Sequence, residues 1–164
     1  MKRMSGMVQT ETHPAIAIGQ RQSIIQAQRC FAELSPEECA QLAGLLQEVH
    51  VVPGDVIVQE GDRVDSVYFI ISGNADVRHV SLQEGMPRVK SIATLREGGT
   101  IGLNDVGFYS LTGRRTATVV ANTTMLLLRL SLPVFNGFAL ANRHVSQVMR
   151  EYTATVLRGG SNKQ

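Results

Sequence analysis

Residues 50–77 read HVVPGDVIVQEGDRVDSVYFIISGNADV. Short runs of β-branched and aromatic residues are separated here by the turn formers Pro53-Gly54, Gly61-Asp62 and Gly73-Asn74. Short apolar runs divided by Gly, Pro and Asn are typical of strands in an antiparallel sandwich or barrel. The stretch therefore predicts a succession of short strands joined by tight turns.

The same pattern continues towards the C-terminus and predicts about seven strands in all. They are Val51-Val52, Val56–Val58, Val67–Ile71, Val77–Val80, Val89–Leu95, Thr116–Ala121 and Thr124–Leu130. No helical periodicity interrupts these strands before Gly99, so an alternating α/β sheet is not expected.

Helices are predicted on both sides of the strands. Ser23–Phe31 predicts a short helix, and Leu34–Val49 a longer one in which Ser35 and Glu38 form a capping box. After the strands, Ser131 caps a helix that has Pro133 in its first turn. A further apolar stripe predicts a long amphipathic helix from Val145 to Val156 that ends at Gly159-Gly160.

The composition indicates one globular domain. The chain has 164 residues, of which 43% are hydrophobic and 18% charged. No apolar run approaches 18 residues, so no membrane contact is expected. The two cysteines and the lack of an export signal predict a cytoplasmic location. We expect flexible tails at residues 1–22 and 159–164, with the domain spanning 23–158.

The charges argue against a broad nucleic-acid surface. The net charge is +2, but residues 31–62 contain seven acidic residues and no Lys or Arg. Only Gly159–Gln164 follow Arg158, too few for a helix-turn-helix. We therefore expect no direct DNA binding.

The sequence shows no motif for catalysis. The histidines at positions 13, 50, 79 and 144 have no metal-ligand spacing, and no G-x-S-x-G elbow occurs. We therefore expect no enzyme activity, no metal and no cofactor. A cupin-like enzyme remains a weaker alternative, because β-rolls also occur in that class.

The segment most informative about function is Gly98–Val120, which reads GGTIGLNDVGFYSLTGRRTATVV. Its glycines allow the backbone to turn tightly and to approach a ligand. Residues 103–110 are compatible with one or two helical turns, whose first N–H groups suit an anion. Arg114 and Arg115, at the start of the next strand, are candidates to clamp a phosphate. The alternative is a Gly-rich hairpin with two solvated arginines.

Across residues 35–157 the chain resembles the cyclic nucleotide-binding domains of the catabolite activator protein and of protein kinase A regulatory subunits. The residues that carry the resemblance are Gly54-Asp55, Ile57, Glu60-Gly61-Asp62, Tyr68-Phe69-Ile70, Ser72-Gly73, Val77, Leu95, Gly98, Ile101-Gly102 and Arg115–Val119. The resemblance implies a mainly β fold with flanking helices. It would be an eight-stranded, jelly-roll-like β-roll with an N-terminal helical segment, a short cassette helix and two C-terminal helices.

The resemblance also implies a phosphate-binding cassette. Arg115 matches the arginine that pairs with the cyclic phosphate, with Arg114, Thr116 and Ala117 beside it. The ribose side corresponds to Gly102, Leu103, Asn104 and Asp105. Leu103 stands where the family has a Glu that binds the ribose 2′-hydroxyl, and the cassette is two or three residues longer than usual. Asp105 is the candidate to replace the missing carboxylate.

In the family the C-terminal helix closes over the base. Tyr152, with Met149 on the same helix, is the candidate to stack on a purine, and ordinary packing is the alternative for Tyr152. Phe108 and Tyr109 are candidates to couple the cassette to this helix.

We therefore expect a non-catalytic regulatory sensor that binds a cyclic nucleotide, with cyclic AMP the first candidate. Its output would pass to an unidentified protein partner or a fused output domain, and the C-terminal helix is a candidate surface for a homodimer. The alternative is a degenerate fold that binds no nucleotide and acts as a protein-interaction or dimerisation module.

Overall fold

The fold is a β-roll with helical segments before and after it. The computed structural model describes residues 16–103 and 113–161. The strands in these residues are β1 Gln47–Val51, β2 Val56–Val58, β3 Ser66–Ser72, β4 Ala75–Gln83, β5 Met86–Leu95, β6 Thr100–Ile101, β7 Thr118–Ala121 and β8 Met125–Ser131. The helices are α1 Ile18–Gln26, a short 3-10 helix Arg29–Phe31, α2 Pro36–Gly44, α3 Leu132–Ala141 and α4 Arg143–Ser161.

The strands form two antiparallel sheets of four strands each. Their orders are β1-β8-β3-β6 and β2-β7-β4-β5. The expected β-roll with flanking helices is therefore confirmed. The expected cassette helix falls largely on residues 104–112, which lie outside the described residues.

Alternation along the strands divides the apolar residues between two clusters, because successive side chains of a strand point to opposite faces. On β3, Val67 and Phe69 face the helices, whereas Tyr68 and Ile70 face the other sheet. We call the buried residues between the two sheets the roll-interior cluster: Val51, Val58, Ile70, Ala75, Ile101, Val119, Ala121, Met125 and Leu127. The helical cluster contains Ile16, Ile25, Cys30, Phe31, Leu34, Cys39, Leu42, Leu46, Val67, Phe69, Leu128, Leu130, Phe135, Val145 and Val148.

The first helix begins earlier than predicted. α1 starts at Ile18, not at Ser23, and Ile16 before it is buried. Arg21 anchors this segment, since its Nη1 donates to the Leu46 carbonyl at 2.7 Å and its Nη2 lies 3.3 Å from Glu48 Oε1. The prediction of a flexible tail over residues 1–22 is therefore wrong for residues 16–22. The rest of that tail lies outside the described residues.

The second helix begins as predicted and ends sooner. Ser35 Oγ accepts a hydrogen bond from the Glu38 N–H, and the Glu38 carboxylate accepts one from the Ser35 N–H, which completes the capping box. The helix stops at Gly44, so the prediction that it continues to Val49 is wrong. Residues from Gln47 onward pair with β8 as β1. The apolar spacing of these residues fits both a helix and an alternating strand. Pairing with β8 selects the strand.

The C-terminal helices pack on the roll through a few buried side chains. Phe135 of α3 and Val145 and Val148 of α4 lie in the helical cluster, whereas Val134 is exposed. The last helix continues through Gly159-Gly160 to Ser161, so its predicted end is wrong. The expected C-terminal tail, residues 159–164, is therefore helical in its first three residues. None of the described helices combines the length and apolarity that crossing a bilayer requires.

The hairpin of β4 and β5 is longer than predicted. The strands are joined at Glu84 and Gly85, which have φ values of +54° and +76°. The segment between the predicted strands Val77–Val80 and Val89–Leu95 is therefore mostly strand. β5 is an edge strand, and every residue in it before Leu95 is exposed.

Both cysteines are buried in the helical cluster as free thiols. Cys30 is 4% exposed and Cys39 is fully buried. Burial raises the pKa of Cys30 to about 12, because the thiolate would lose its hydration. Burial and the nearby Glu38 carboxylate raise the pKa of Cys39 as well.

The helical layer contains a pH-sensitive contact between α2 and α4. His144 Nδ1 lies 2.8 Å from Glu38 Oε1, an oxygen that also accepts the Ser35 N–H at 2.8 Å. Burial alone would raise the pKa of Glu38, but the hydrogen bonds from Ser35 and His144 outweigh it and lower the pKa. The ionised carboxylate is therefore favoured in the folded state. Its contribution to stability is present above the unfolded pKa and is lost as the pH falls through the folded pKa.

We predict that Glu38→Gln lowers the free energy of unfolding at pH 7 and that this loss shrinks as the pH falls towards 3. The reason is that Glu38 of the wild-type protein becomes protonated at low pH and is then as uncharged as the glutamine of the variant. Urea unfolding at several pH values measures the difference. Glu37→Gln is the control, because it removes a carboxylate from the exposed neighbouring position of the same helix. A loss that is the same at every pH would contradict the prediction.

Candidate anion-binding site

The centre of the candidate site is the guanidinium of Arg115, which lies beside Ser66, the first residue of β3. Its side chain is only 6% exposed. Nη2 donates a hydrogen bond to the Ser66 carbonyl at 2.7 Å and lies 3.8 Å from Asp65 Oδ1. The arginine expected to bind phosphate is therefore buried beside β3 and is not solvated.

The backbone of Arg115 is fixed by the turn that precedes β3. Its N–H donates to the Asp62 carbonyl at 2.7 Å, and its own carbonyl accepts the Gly61 N–H at 2.9 Å. Gly61 has a φ of +90°, a conformation that glycine adopts without strain. The E-G-D turn noted in the sequence therefore holds the arginine in position.

One nitrogen of this guanidinium is not satisfied. Nη1 of Arg115 is buried and has no hydrogen-bond partner among the described residues. Burial lowers the pKa of Arg115, and the nearby Tyr68 and Asp65 oppose that shift. A buried donor without a partner carries a free-energy cost of about 1–3 kcal/mol, and more when it is charged. An anion that accepted from Nη1 would remove this cost.

The close approach of Gly102 to Arg115 requires the absence of a side chain. Gly102 has a φ of +87°, and a Cβ placed on it would lie 2.5 Å from Arg115 Nη1. The ribose-side glycine predicted from the sequence is thus in contact with the predicted phosphate-binding arginine.

The other residues predicted for the phosphate are more exposed than Arg115. Arg114 is exposed, and its Nη1 donates to the Gly61 carbonyl at 2.9 Å, so it braces the turn. Thr116 is exposed and Ala117 is half-buried, immediately before β7.

Leu103 does not present a polar group to the site. Its side chain is half-buried and packs against the helical cluster, and its carbonyl accepts from Thr100 Oγ1 at 3.2 Å. Asn104 and Asp105, the other ribose-side candidates, and Phe108 and Tyr109, the coupling candidates, lie outside the described residues.

The candidates for the base, Tyr152 and Met149, pack against the helical cluster. Tyr152 lines a cavity between α4 and the residues around the 3-10 helix, including Arg29 and Cys30. In this conformation the tyrosine therefore serves packing between helices.

Four residues around Arg115 were not predicted as site residues: Asp65, Ser66, Tyr68 and Arg129. Asp65 and Ser66 act through an exposed carboxylate and a backbone carbonyl, for which the sequence gives no distinct signal. Arg129 had a signal, because it is the one charge in the apolar run MLLLRL of β8.

The described residues contain no group of three or more His, Cys, Asp and Glu side chains placed to hold a metal ion. The expectation of no metal stays a prediction.

Comparisons with known proteins point to one family. The family model for the cyclic nucleotide-binding domain matches residues 48–142, which is more than half of the chain. A comparison with curated proteins finds no match.

Three solved structures share the fold. The N-terminal domain of a transcriptional regulator from Streptomyces coelicolor A3(2) is 26% identical, with a TM-score of 0.73, over 86% of this chain and 94% of that one. The sensor domain of the transcriptional regulator DNR from Pseudomonas aeruginosa is 19% identical, with a TM-score of 0.65, over 90% and 95%. The regulatory domain of Toxoplasma gondii PKA, solved with cAMP, is 21% identical, with a TM-score of 0.60, over 76% of this chain and 46% of that one.

We predict that Gly102→Ala disrupts the site. The new methyl group would force the Arg115 guanidinium to move, and the positive φ would add backbone strain of about 1 kcal/mol or more. Gly85→Ala is the matched control, because Gly85 has a φ of +76° and no atom within 4 Å of an added Cβ. Thermal unfolding should show a larger loss for Gly102→Ala. If both variants lost the same stability, the contact between Gly102 and Arg115 would not contribute to the stability of the fold.

Proposed function

Because the chain belongs to the cyclic nucleotide-binding domain family, we propose that it binds a cyclic nucleotide, most simply cyclic AMP, through Arg115. Domains of this family are regulatory or sensor modules. We propose that this one likewise reports ligand occupancy and performs no catalysis. No cofactor beyond the ligand is needed for that role.

The observation that carries the proposal is the unsatisfied Nη1 of Arg115. A cyclic phosphodiester has one negative charge and two non-bridging oxygens, so it can accept a charge-assisted hydrogen bond that no described residue supplies. The absence of a side chain at Gly102 allows the guanidinium to take this position. We propose that Thr116 and Ala117, next along the chain, add a hydroxyl and backbone contacts.

The ribose side of the proposed site lacks a carboxylate at Leu103, whose side chain is directed to the helical cluster. A hydrogen bond to a charged group contributes about 1.5–3 kcal/mol. Without it, binding would be roughly 10- to 150-fold weaker, since about 1.4 kcal/mol is tenfold. We therefore propose a weak site that depends on the phosphate, unless Asp105 supplies the carboxylate.

The output of the proposed sensor would involve α4. In the described conformation Tyr152 and Met149 are held in the helical layer. Stacking of Tyr152 on a base would require α4 to shift, and a ligand would favour the shifted state by its difference in affinity for the two states. A protein partner, a fused output domain or a second copy through α4 would receive this signal. We propose a cytoplasmic location for such a sensor.

A second candidate function is favoured by the packing of Leu103. A leucine committed to the helical cluster is compatible with a degenerate domain that binds no nucleotide and acts in protein interaction or dimerisation. In that case the unpaired Arg115 nitrogen would be a remnant of the fold.

We predict that cyclic AMP binds the full chain and that Arg115→Gln weakens binding at least thirtyfold. Truncating a buried partner of a charge costs about 2–5 kcal/mol, and 2 kcal/mol corresponds to about thirtyfold. Titration calorimetry measures the dissociation constant, and thermal stabilisation by the ligand provides an independent reading. Cyclic GMP is titrated in parallel.

Arg78→Gln is the matched control for this prediction. Arg78 lies on β4 and pairs with Asp76 at 2.9 Å, so its loss removes an arginine and an ion pair outside the proposed site. It should leave binding unchanged. If folded wild-type protein showed neither heat nor stabilisation at millimolar nucleotide, the sensor proposal would fail and the degenerate alternative would be favoured.

We further predict that 2′-deoxy cyclic AMP binds within about threefold of cyclic AMP. Leu103 cannot accept a hydrogen bond from the ribose hydroxyl, so removing that hydroxyl should change little. Competition between the two nucleotides in one titration gives the ratio directly. A loss of tenfold or more would show that another group binds the ribose. Asp105→Asn would then test Asp105.

A further inference from the structure

A second guanidinium, that of Arg129, faces the same region of the roll. Arg129 lies on β8, where its register partners are Tyr68 of β3 and Gln47 of β1. Met125 and Leu127, four and two residues before it, belong to the roll-interior cluster. Because side chains alternate along a strand, Arg129 is on the interior face too.

The two arginines share one carboxylate. Arg129 Nη2 lies 3.8 Å from Asp65 Oδ2, and Arg115 Nη2 lies 3.8 Å from Asp65 Oδ1. Both distances exceed hydrogen-bond length, so Asp65 offsets the charges without satisfying the donors. The Asp65 side chain is 68% exposed, and its Oδ1 accepts a hydrogen bond from Ser66 Oγ at 2.8 Å.

Two like charges act on one another in this region. The Asp65 carboxylate lies 3.8 Å from both guanidiniums, and the Asp62 carboxylate also acts on Arg115. The side chain of Arg129 is 27% exposed, so water screens it only in part. Its proximity to Arg115 also contributes to the lowered pKa of that arginine, after burial. A single anion between the two would relieve this repulsion.

We propose that Arg129 is a second ligand-binding cation, which acts with Arg115 on the phosphate of the ligand. This inference rests on the proposed function, because it assigns a further residue to the same site. The second guanidinium makes up in part for the carboxylate that is missing at Leu103. Affinity in this protein then depends more on the charge of the ligand than on its ribose.

The test is titration of cyclic AMP into the full chain and its variants at low and high salt. Arg129→Gln should raise the dissociation constant about tenfold at low salt, and this factor should shrink in 0.5 M NaCl because salt screens charges. Arg129→Lys keeps the charge and should stay within about threefold of wild type. Arg78→Gln, the control outside the site, should bind as wild type does.

A second variant tests the inference without removing an arginine. Gln47 is exposed, and its Oε1 accepts from Arg129 Nη1 at 3.3 Å, so Gln47→Glu places a carboxylate against Arg129 at little change in shape. It should also raise the dissociation constant severalfold at low salt. This variant decides the question if Arg129→Gln does not fold.

The outcomes distinguish the two proposals. Wild-type affinity in both Arg129→Gln and Gln47→Glu, with loss of binding in Arg115→Gln, would overturn the role of Arg129 and leave the proposed function standing. A weakening that is equal at low and high salt would mark Arg129 as structural and overturn its role as well. Absence of cyclic AMP binding by the wild-type protein would overturn both proposals.

Discussion

The site depends on the burial of a charged guanidinium beside the first residue of β3. Burying an ion is unfavourable unless it is paired and hydrogen-bonded. The Arg115 guanidinium donates one hydrogen bond, to the Ser66 carbonyl at 2.7 Å, and lies 3.8 Å from the Asp65 carboxylate. Its position is enforced by the backbone hydrogen bonds to Asp62 and Gly61. The stability of the surrounding roll therefore sustains a locally unfavourable arrangement, which is common where a protein keeps donors ready for a ligand.

Much of the roll could be predicted from the sequence because glycines mark its turns. Positive φ values at Gly54, Gly61 and Gly73 coincide with the breaks between apolar runs. The predicted secondary structure was wrong where the local apolar pattern was compatible with both a helix and a strand. Leu34–Val49 has helical spacing throughout, yet the chain after Gly44 leaves the helix because β8 offers a strand partner. The two-residue strand β6 was missed, since so short a strand exists only through its pairing with β3.

The site was predictable in part for a similar reason. Arg115 and Gly102 were identified by spacing and by family resemblance, and the structure brings them together. Arg129 was not, because its relation to Asp65 follows from the register between β3 and β8, which no local pattern encodes. Tyr152 was assigned to the base because it is the aromatic residue on the apolar face of a helix that closes over the base in the family. That face meets the N-terminal helical segment in the described conformation, and sequence periodicity cannot specify which partner a face meets.

The helical layer that holds α4 also encloses the only two sulfhydryl groups in the chain. With its pKa raised to about 12, Cys30 is almost entirely unreactive at neutral pH, and burial protects Cys39 in the same way. Thiol-directed probes should therefore not react with the cysteines of the native protein. A cysteine introduced on the exposed face of α4 would carry a fluorophore or a spin label alone, so the position of that helix can be followed in solution against a silent background.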